Sequence, residues 1–266
     1  MNIEDNDRNS LLHLACEGGY VETAAVLLSY KATIKQNSSS LMTPLHIVCK
    51  IGNKKIAEML IQAHANVNSV DKKKYTPLQW AVTKGFLDIT ELLLDNNANV
   101  DYTDNHDRTP LYHACEMENV EMVKCLLEHK ASTTKSDKNK QIPLHVACTK
   151  GCYEMTVLLT SIEGGGINQK DIKGNTPLHN TCRNGNFNIV ELLIDKSADA
   201  RATNNSSSAP IHIASKRGFC SIVEFLLRSK ADINAQNVRK QTPLFVARMR
   251  GHTELVSLLL RHGASD

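Results

Sequence analysis

The chain repeats itself every 33 residues, and no other feature constrains its fold so tightly: a fixed period of that size means one small unit stacked on copies of itself. Thr43-Pro44-Leu45-His46, Thr76-Pro77-Leu78-Gln79, Thr109-Pro110-Leu111-Tyr112, Ile142-Pro143-Leu144-His145, Thr176-Pro177-Leu178-His179, Ala209-Pro210-Ile211-His212 and Thr242-Pro243-Leu244-Phe245 recur at that spacing, once lengthened to 34. Ser10-Leu11-Leu12-His13 is an earlier copy. Nine residues after each first residue stands Gly19, Gly52, Gly85, Gly151, Gly185, Gly218 or Gly251, with Glu118 the exception.

Each position has a physical reading. Proline is tolerated at the first helical position because its missing N–H has no intrahelical partner there, and the preceding Thr is a good N-cap. The glycine supplies a left-handed or loop conformation that ends this first helix after about two turns. A second apolar stretch follows, such as Ile89-Thr90-Glu91-Leu92-Leu93-Leu94 or Ile189-Val190-Glu191-Leu192-Leu193-Ile194, and predicts a second helix. Its paired aliphatics, Leu27-Leu28 through Leu259-Leu260, contribute about 1.5–3 kcal/mol each when fully buried. The unit reads as helix, turn, helix, hairpin.

On these residues the chain resembles the ankyrin-repeat family from about Asp5 to its C-terminus. The resemblance implies an all-α solenoid of stacked helix-turn-helix units with inter-repeat β-hairpin loops. The expected repeats are 5–37, 38–70, 71–103, 104–136, 137–170, 171–203, 204–236 and 237–266, in a single array over 1–266. It further implies that hairpin tips and first helices line a concave, partner-binding face. Where the family usually places Gly after the second helix, this chain has Lys31, His64, Asn97, Lys130, Ser197 and Lys230, with Gly only at Gly263. If left-handed, each such residue costs about 1 kcal/mol. Repeat five carries the extra residue, with Thr160 at the second Leu position and Gly164-Gly165-Gly166 following, so residues 160–167 are expected to be the weakest junction.

Several constellations imitate chemistry. His13, His46, His145, His179 and His212 form one column, but helices pack about 8–10 Å apart and zinc needs ligands at about 2.0–2.3 Å. The resemblance implies instead that each imidazole bonds the Thr hydroxyl or the backbone of the neighbouring hairpin. Cys16, Cys49, Cys115, Cys148 and Cys182 share a second column that wants a small apolar side chain, and are expected buried and unpaired. His145-x-x-Cys148-x-x-x-Cys152 lacks a fourth ligand, and Asp5-Asn6-Asp7-Arg8-Asn9 lacks the Gly and Glu of a calcium loop. Phosphate-loop, nucleophile-elbow, zinc-protease and dinucleotide motifs are absent, so the chain reads as no enzyme, with no cofactor, metal or small-molecule substrate.

No apolar run reaches the length of a membrane span and residues 1–10 are polar, so a cytoplasmic location is expected, with reduced cysteines and the sequons at Asn37, Asn204 and Asn205 unused. The net charge is +3, but residues 1–133 hold 17 acidic against 13 basic side chains and residues 134–266 hold 18 basic against 11 acidic. The ends of the first helices show the same shift: from repeat five onward each contributes a cation, through Lys150, Arg183, Lys216, Arg217 and Arg250. Hairpin tips add Lys138, Lys173 and Arg239, and Lys84, Tyr75 and Met117 are candidates in the earlier repeats. Repeat four reads as acidic through Asp104, Asp107, Glu116 and Glu118. The expected function is a protein-interaction scaffold or adaptor binding an acidic extended peptide or loop along repeats five to eight. The alternatives are the soluble cytosolic arm of a larger channel, receptor or ligase chain, or a nucleic-acid or anionic-surface binder. The last is disfavoured because aromatic residues are not interleaved with the cations. Finally, the small buried position becomes Ser215 and then Arg248, which is expected to reach solvent on the open end of a closing repeat eight.

Overall fold

In the computed structural model, residues 4–34, 38–162 and 164–265 are described. Asn37, one of the three sequons, and Glu163, within the glycine-rich junction, lie outside them. The chain divides into two compact units, Met1–Ser132 and Thr133–Asp266.

The first unit holds four helix pairs: α1 (Leu11–Glu17) with α2 (Val21–Ser29), α3 (Pro44–Ile51) with α4 (Lys54–Gln62), α5 (Pro77–Lys84) with α6 (Leu87–Asp95), and α7 (Pro110–Glu116) with α8 (Val120–Glu128). The second holds α9 (Pro143–Lys150) with α10 (Tyr153–Ser161), α11 (Pro177–Asn184) with α12 (Phe187–Asp195), α13 (Pro210–Arg217) with α14 (Cys220–Arg228), and α15 (Pro243–Met249) with α16 (Thr253–Arg261). Within each unit the first helices of successive repeats stack on one another, and the second helices form a parallel outer row. The seam between rows is the core: Leu45, Leu78 and Leu111 meet Leu60, Leu93 and Leu126 in the first unit, and Leu144, Leu178, Ile211 and Leu244 lie with Leu159, Leu193, Leu226 and Leu259 in the second, all 1% exposed or less.

The helix ends follow the sequence reading. The glycines after the first helices have φ between 68° and 90°, and Glu118 adopts the same left-handed conformation at φ 57°. After the second helices, Lys31, His64, Asn97, Lys130, Ser197 and Lys230 are all left-handed, with φ between 58° and 70°. Their N–H groups close the helix, as Lys130 N–H does on the Leu127 carbonyl at 2.9 Å. In repeat five Gly164 takes that role, and a side chain at Gly165 would stand 2.6 Å from the Leu159 carbonyl oxygen, so the junction needs glycine there.

Thr160 departs from expectation. From the second repeat onward the first residue of each aliphatic pair is the fully buried one, as at Leu159, whereas Thr160 is only half-buried and its hydroxyl donates to the Thr156 carbonyl at 2.7 Å. The hairpins build no sheet: among the described residues they form no strand, only an isolated Glu4–Ser10 bridge. Each is closed by a side chain instead. Asp71 Oδ1 accepts the N–H groups of Lys73 and Tyr75, and Asp104, Asp137, Asp171, Asn204 and Asn237 repeat the arrangement. Asp5 does the same, so the calcium-loop look-alike is a hairpin. Neighbouring tips are joined by one backbone bond, such as Ile172 N–H to Asn139 O at 2.8 Å and Val238 N–H to Ser206 O at 3.0 Å.

Candidate functional site

The two columns that looked catalytic are structural. His46 Nδ1 accepts from the Thr43 N–H at 3.0 Å and lies 2.8 Å from the Thr43 hydroxyl, while Nε2 donates to the Tyr75 carbonyl of the next hairpin at 3.0 Å. His13, His145, His179 and His212 make equivalent bridges to Met42, Asn175, Ser208 and Gln241. Gln79 fills the same place with its amide, accepting from Thr76 N–H at 2.9 Å and donating to Arg108 O at 3.2 Å. Burial lowers the basicity of His46, His145, His179 and His212, that of His179 to about 4. The five column cysteines are 0% exposed, and burial pushes the thiols of Cys16 and Cys148 up to about 12, far from a reactive thiolate.

What remains for chemistry is surface. In the second unit the inner helices α9, α11, α13 and α15 contain no Asp or Glu, and the tips 137–141, 171–175, 204–208 and 237–241 contain only Asp137 and Asp171. Both of these are buried and spent on backbone N–H groups. At Asn204 and Asn237 even this carboxylate is neutralised to an amide that closes the turn equally well. Against that stand Lys150, Arg183, Lys216, Arg217 and Arg250 at the helix ends and Lys138, Lys173 and Arg239 at the tips, every one exposed.

The structure brings three of these together. Lys216, Arg239 and Arg250 line a groove of about 690 Å³ between the inner helices and tips of repeats seven and eight, while the other five lie outside its lining. The sequence reading missed the groove's apolar half: Ile213 and Val246 on its floor, Val238 at 63% exposure and Met249 at 69%. The polar lining comes from Asn204, Ser206, Ser208, His212, Asn237 and Gln241, and no carboxylate contributes. Arg248 is exposed and Ser215 fully buried at the column position they share.

In the first unit Lys84 and Met117 are exposed and Tyr75 is half-buried. Tyr75 belongs to a cluster that sequence reading did not assemble. Its ring lies 5.2 Å from that of Trp80 and 5.4 Å from that of His113. Lys50 Nζ sits 5.2 Å over the Trp80 ring, and Trp80 Nε1 donates to Asp71 Oδ2 at 3.1 Å. Asp104 is not the surface acid that repeat four promised. It is 2% exposed and bonds Arg108 Nη2 at 2.9 Å and His113 Nε2 at 3.2 Å. Burial alone would raise its carboxyl, but hydrogen bonds from His113, Arg108 and the Arg108 and His106 N–H groups outweigh it and hold the group well below the usual range. Only the pairing of a tip residue with the following inner helix, legible as Tyr75 near Trp80 in sequence, signalled this cluster.

A family model described as ankyrin repeats (3 copies) matches residues 12–104, 99–171, 144–237 and 211–266, nearly the whole chain. No curated protein matches it. No helix among the described residues is long and apolar enough to cross a membrane.

Proposed function

This chain belongs to the ankyrin-repeat family, whose arrays serve as protein-interaction modules, and from that premise we propose that it is a non-catalytic scaffold whose second unit binds an acidic, extended segment of a partner protein. The observation that carries this reading is the composition of the groove between repeats seven and eight: three cations, four apolar side chains and no acid. Lys216, Arg239 and Arg250 make no ion pair among the described residues, so their charge is available to an incoming carboxylate without displacing an internal partner. Ile213, Val238, Val246 and Met249 add apolar area, which favours acids interspersed with aliphatic residues over a purely anionic polymer. Lys150 and Arg183 extend the positive field over repeats five and six.

The test is kinetic binding of a synthetic peptide of alternating Glu and Leu to the full chain and to the double variant Lys216→Glu, Arg239→Glu. The expected outcome is a loss of about tenfold or more in affinity, mostly in association rate, as for steering charges. Equal affinity of the variant would overturn the reading. Binding of a mixed oligonucleotide in preference to the peptide, with a steep salt dependence, would assign the surface to nucleic acid.

A further inference from the structure

Beside the chain's single tryptophan, the Lys50 ammonium and the Tyr75 hydroxyl are donors without a hydrogen-bond or ion-pair partner among the described residues. From this we infer that Lys50, Tyr75 and Trp80 form a second recognition point, in the first unit, for a carboxylate-bearing side chain of a partner protein. The acid would meet Lys50 and the Tyr75 hydroxyl, with its aliphatic stem against the two rings. The inference rests on the protein-binding reading above but uses none of the residues of the second-unit groove.

The cluster is built rather than incidental. Trp80 occupies the inner-helix position that Ile47, Val146, Ile213 and Val246 hold in other repeats, where an indole is far larger than packing between helices requires. Its N–H is committed to the buried Asp71 and its ring is tilted against Tyr75 at 58°, so the indole is fixed in one orientation while remaining half-exposed. One face carries the ammonium of Lys50, an exposed residue with no carboxylate in reach among the described residues. The Tyr75 hydroxyl makes no hydrogen bond among the described residues either. Burial raises its pKa, so it stays a proton donor at neutral pH.

The two buried carboxylates, by contrast, are used, and the third is held on one oxygen. Asp71 takes the N–H groups of Lys73 and Tyr75 on one oxygen and Trp80 on the other. Asp104 takes His106, Arg108 and His113. Glu116, the carboxylate of the cluster that reaches solvent, lies 3.4 Å from Arg108 Nη1 and 3.7 Å from His113 Nδ1. A partner cation would therefore have to expel Lys50 from the indole and compete with Arg108 for Glu116. A partner carboxylate displaces nothing, gains an ion pair with a cation already steadied by the ring, and adds a hydrogen bond from the phenol. Exposed Lys72 and Lys73 on the same tip as Tyr75 favour the same sign of ligand. Tyrosine, tryptophan and arginine are also the side chains that concentrate binding energy at protein interfaces.

Because Trp80 is the only tryptophan, its emission reports this point alone. The host is the full chain already carrying Lys216→Glu and Arg239→Glu, which silences the second-unit groove and separates the two readings. Titration with a hexaglutamate peptide at low salt is expected to change Trp80 emission saturably. Lys50→Gln should weaken the midpoint by about fivefold and Tyr75→Phe by about twofold, the scale of one solvent-accessible ion pair and one neutral hydrogen bond. Both substitutions are at accessible positions, and unchanged circular dichroism would show that the fold is kept. Silent emission up to millimolar peptide, or a Lys50→Gln midpoint equal to that of the host, overturns the inference. A response to hexalysine with hexaglutamate silent overturns it too, and would give the indole to a cation.

Discussion

Ser215 shows what a single residue can cost in a repetitive core. It stands in the column where the other inner repeats place Cys16, Cys49, Val82, Cys115, Cys148 and Cys182, and it is as buried as they are. A thiol there packs as a small hydrophobe, but a hydroxyl must find a partner, and the Ser215 hydroxyl has none among the described residues. Leaving a donor buried and unmatched costs about 1–3 kcal/mol, and alanine is also the better helix former. Ser215→Ala is therefore expected to stabilise the second unit by about 1 kcal/mol, read as a higher urea midpoint. A lower midpoint would mean that the hydroxyl fills space the smaller methyl cannot. The neighbouring column member Arg248 illustrates the opposite solution, since the residue is exposed.

At the scale of the element, the sequence was most legible where one residue type has one physical use. Proline at the first helical turn, glycine in the left-handed region and a leucine pair in the seam located the sixteen helices among the described residues, although α1 begins without proline and Glu118 replaces the glycine after α7. The histidine bridges were legible only through the family resemblance; in the structure a ring nitrogen three residues after the N-cap reaches the cap backbone. The hairpins were legible as tight connections, but not the device that closes them: Asp and Asn accept the turn's N–H groups through their own side chains, and no strand pairing is needed. The same ambiguity hid the fate of Asp104: a carboxylate at a tip looks like surface charge, yet the turn buries it against His113. The apolar half of the second-unit groove was missed because Ile213 comes from repeat seven and Val238, Val246 and Met249 from repeat eight, and they converge only in the stack. The helix ends carry a testable cost. Lys130 and Lys230 are exposed and hold left-handed backbone at φ 63° and 67°, where glycine has no steric penalty. Lys130→Gly and Lys230→Gly are each expected to raise stability by about 1 kcal/mol despite the greater freedom of glycine in the unfolded chain. A loss of stability on either substitution would show that the lysine stem packs over the helix end.

Across the whole molecule the histidine column makes stability depend on pH, in a window set by burial. Each bridge needs a neutral ring, with Nδ1 accepting at the cap and Nε2 donating to the next hairpin, and burial disfavours the imidazolium. Unfolding releases the ring to an ordinary value near 6.5, whereas His179 in the fold is lowered to about 4. Between those values the unfolded chain binds the proton and the folded one does not, so the contribution is complete above about pH 6.5 and is lost as pH falls towards 4. For His179 alone this amounts to about 3 kcal/mol over the full window. His145 and His212 shift in the same direction within the same unit, and His46 does so in the first unit. The lowered carboxyl of Asp104 does not confuse the window, because its ordinary value is 3.8 and its own contribution fails only below that. In a stack of coupled repeats each lost bridge weakens both the repeat and its interface, so unfolding midpoints in urea should change little from pH 7.5 to about pH 6.5 and fall from there to pH 5. Glutamine supplies the control, since Gln79 makes the same cap-to-hairpin bridge with an amide that does not titrate. His179→Gln is expected to match the parent chain within about 1 kcal/mol at pH 7.5 and to lose less stability on acidification. If the variant follows the parent's pH slope, the sensitivity lies outside the histidine column.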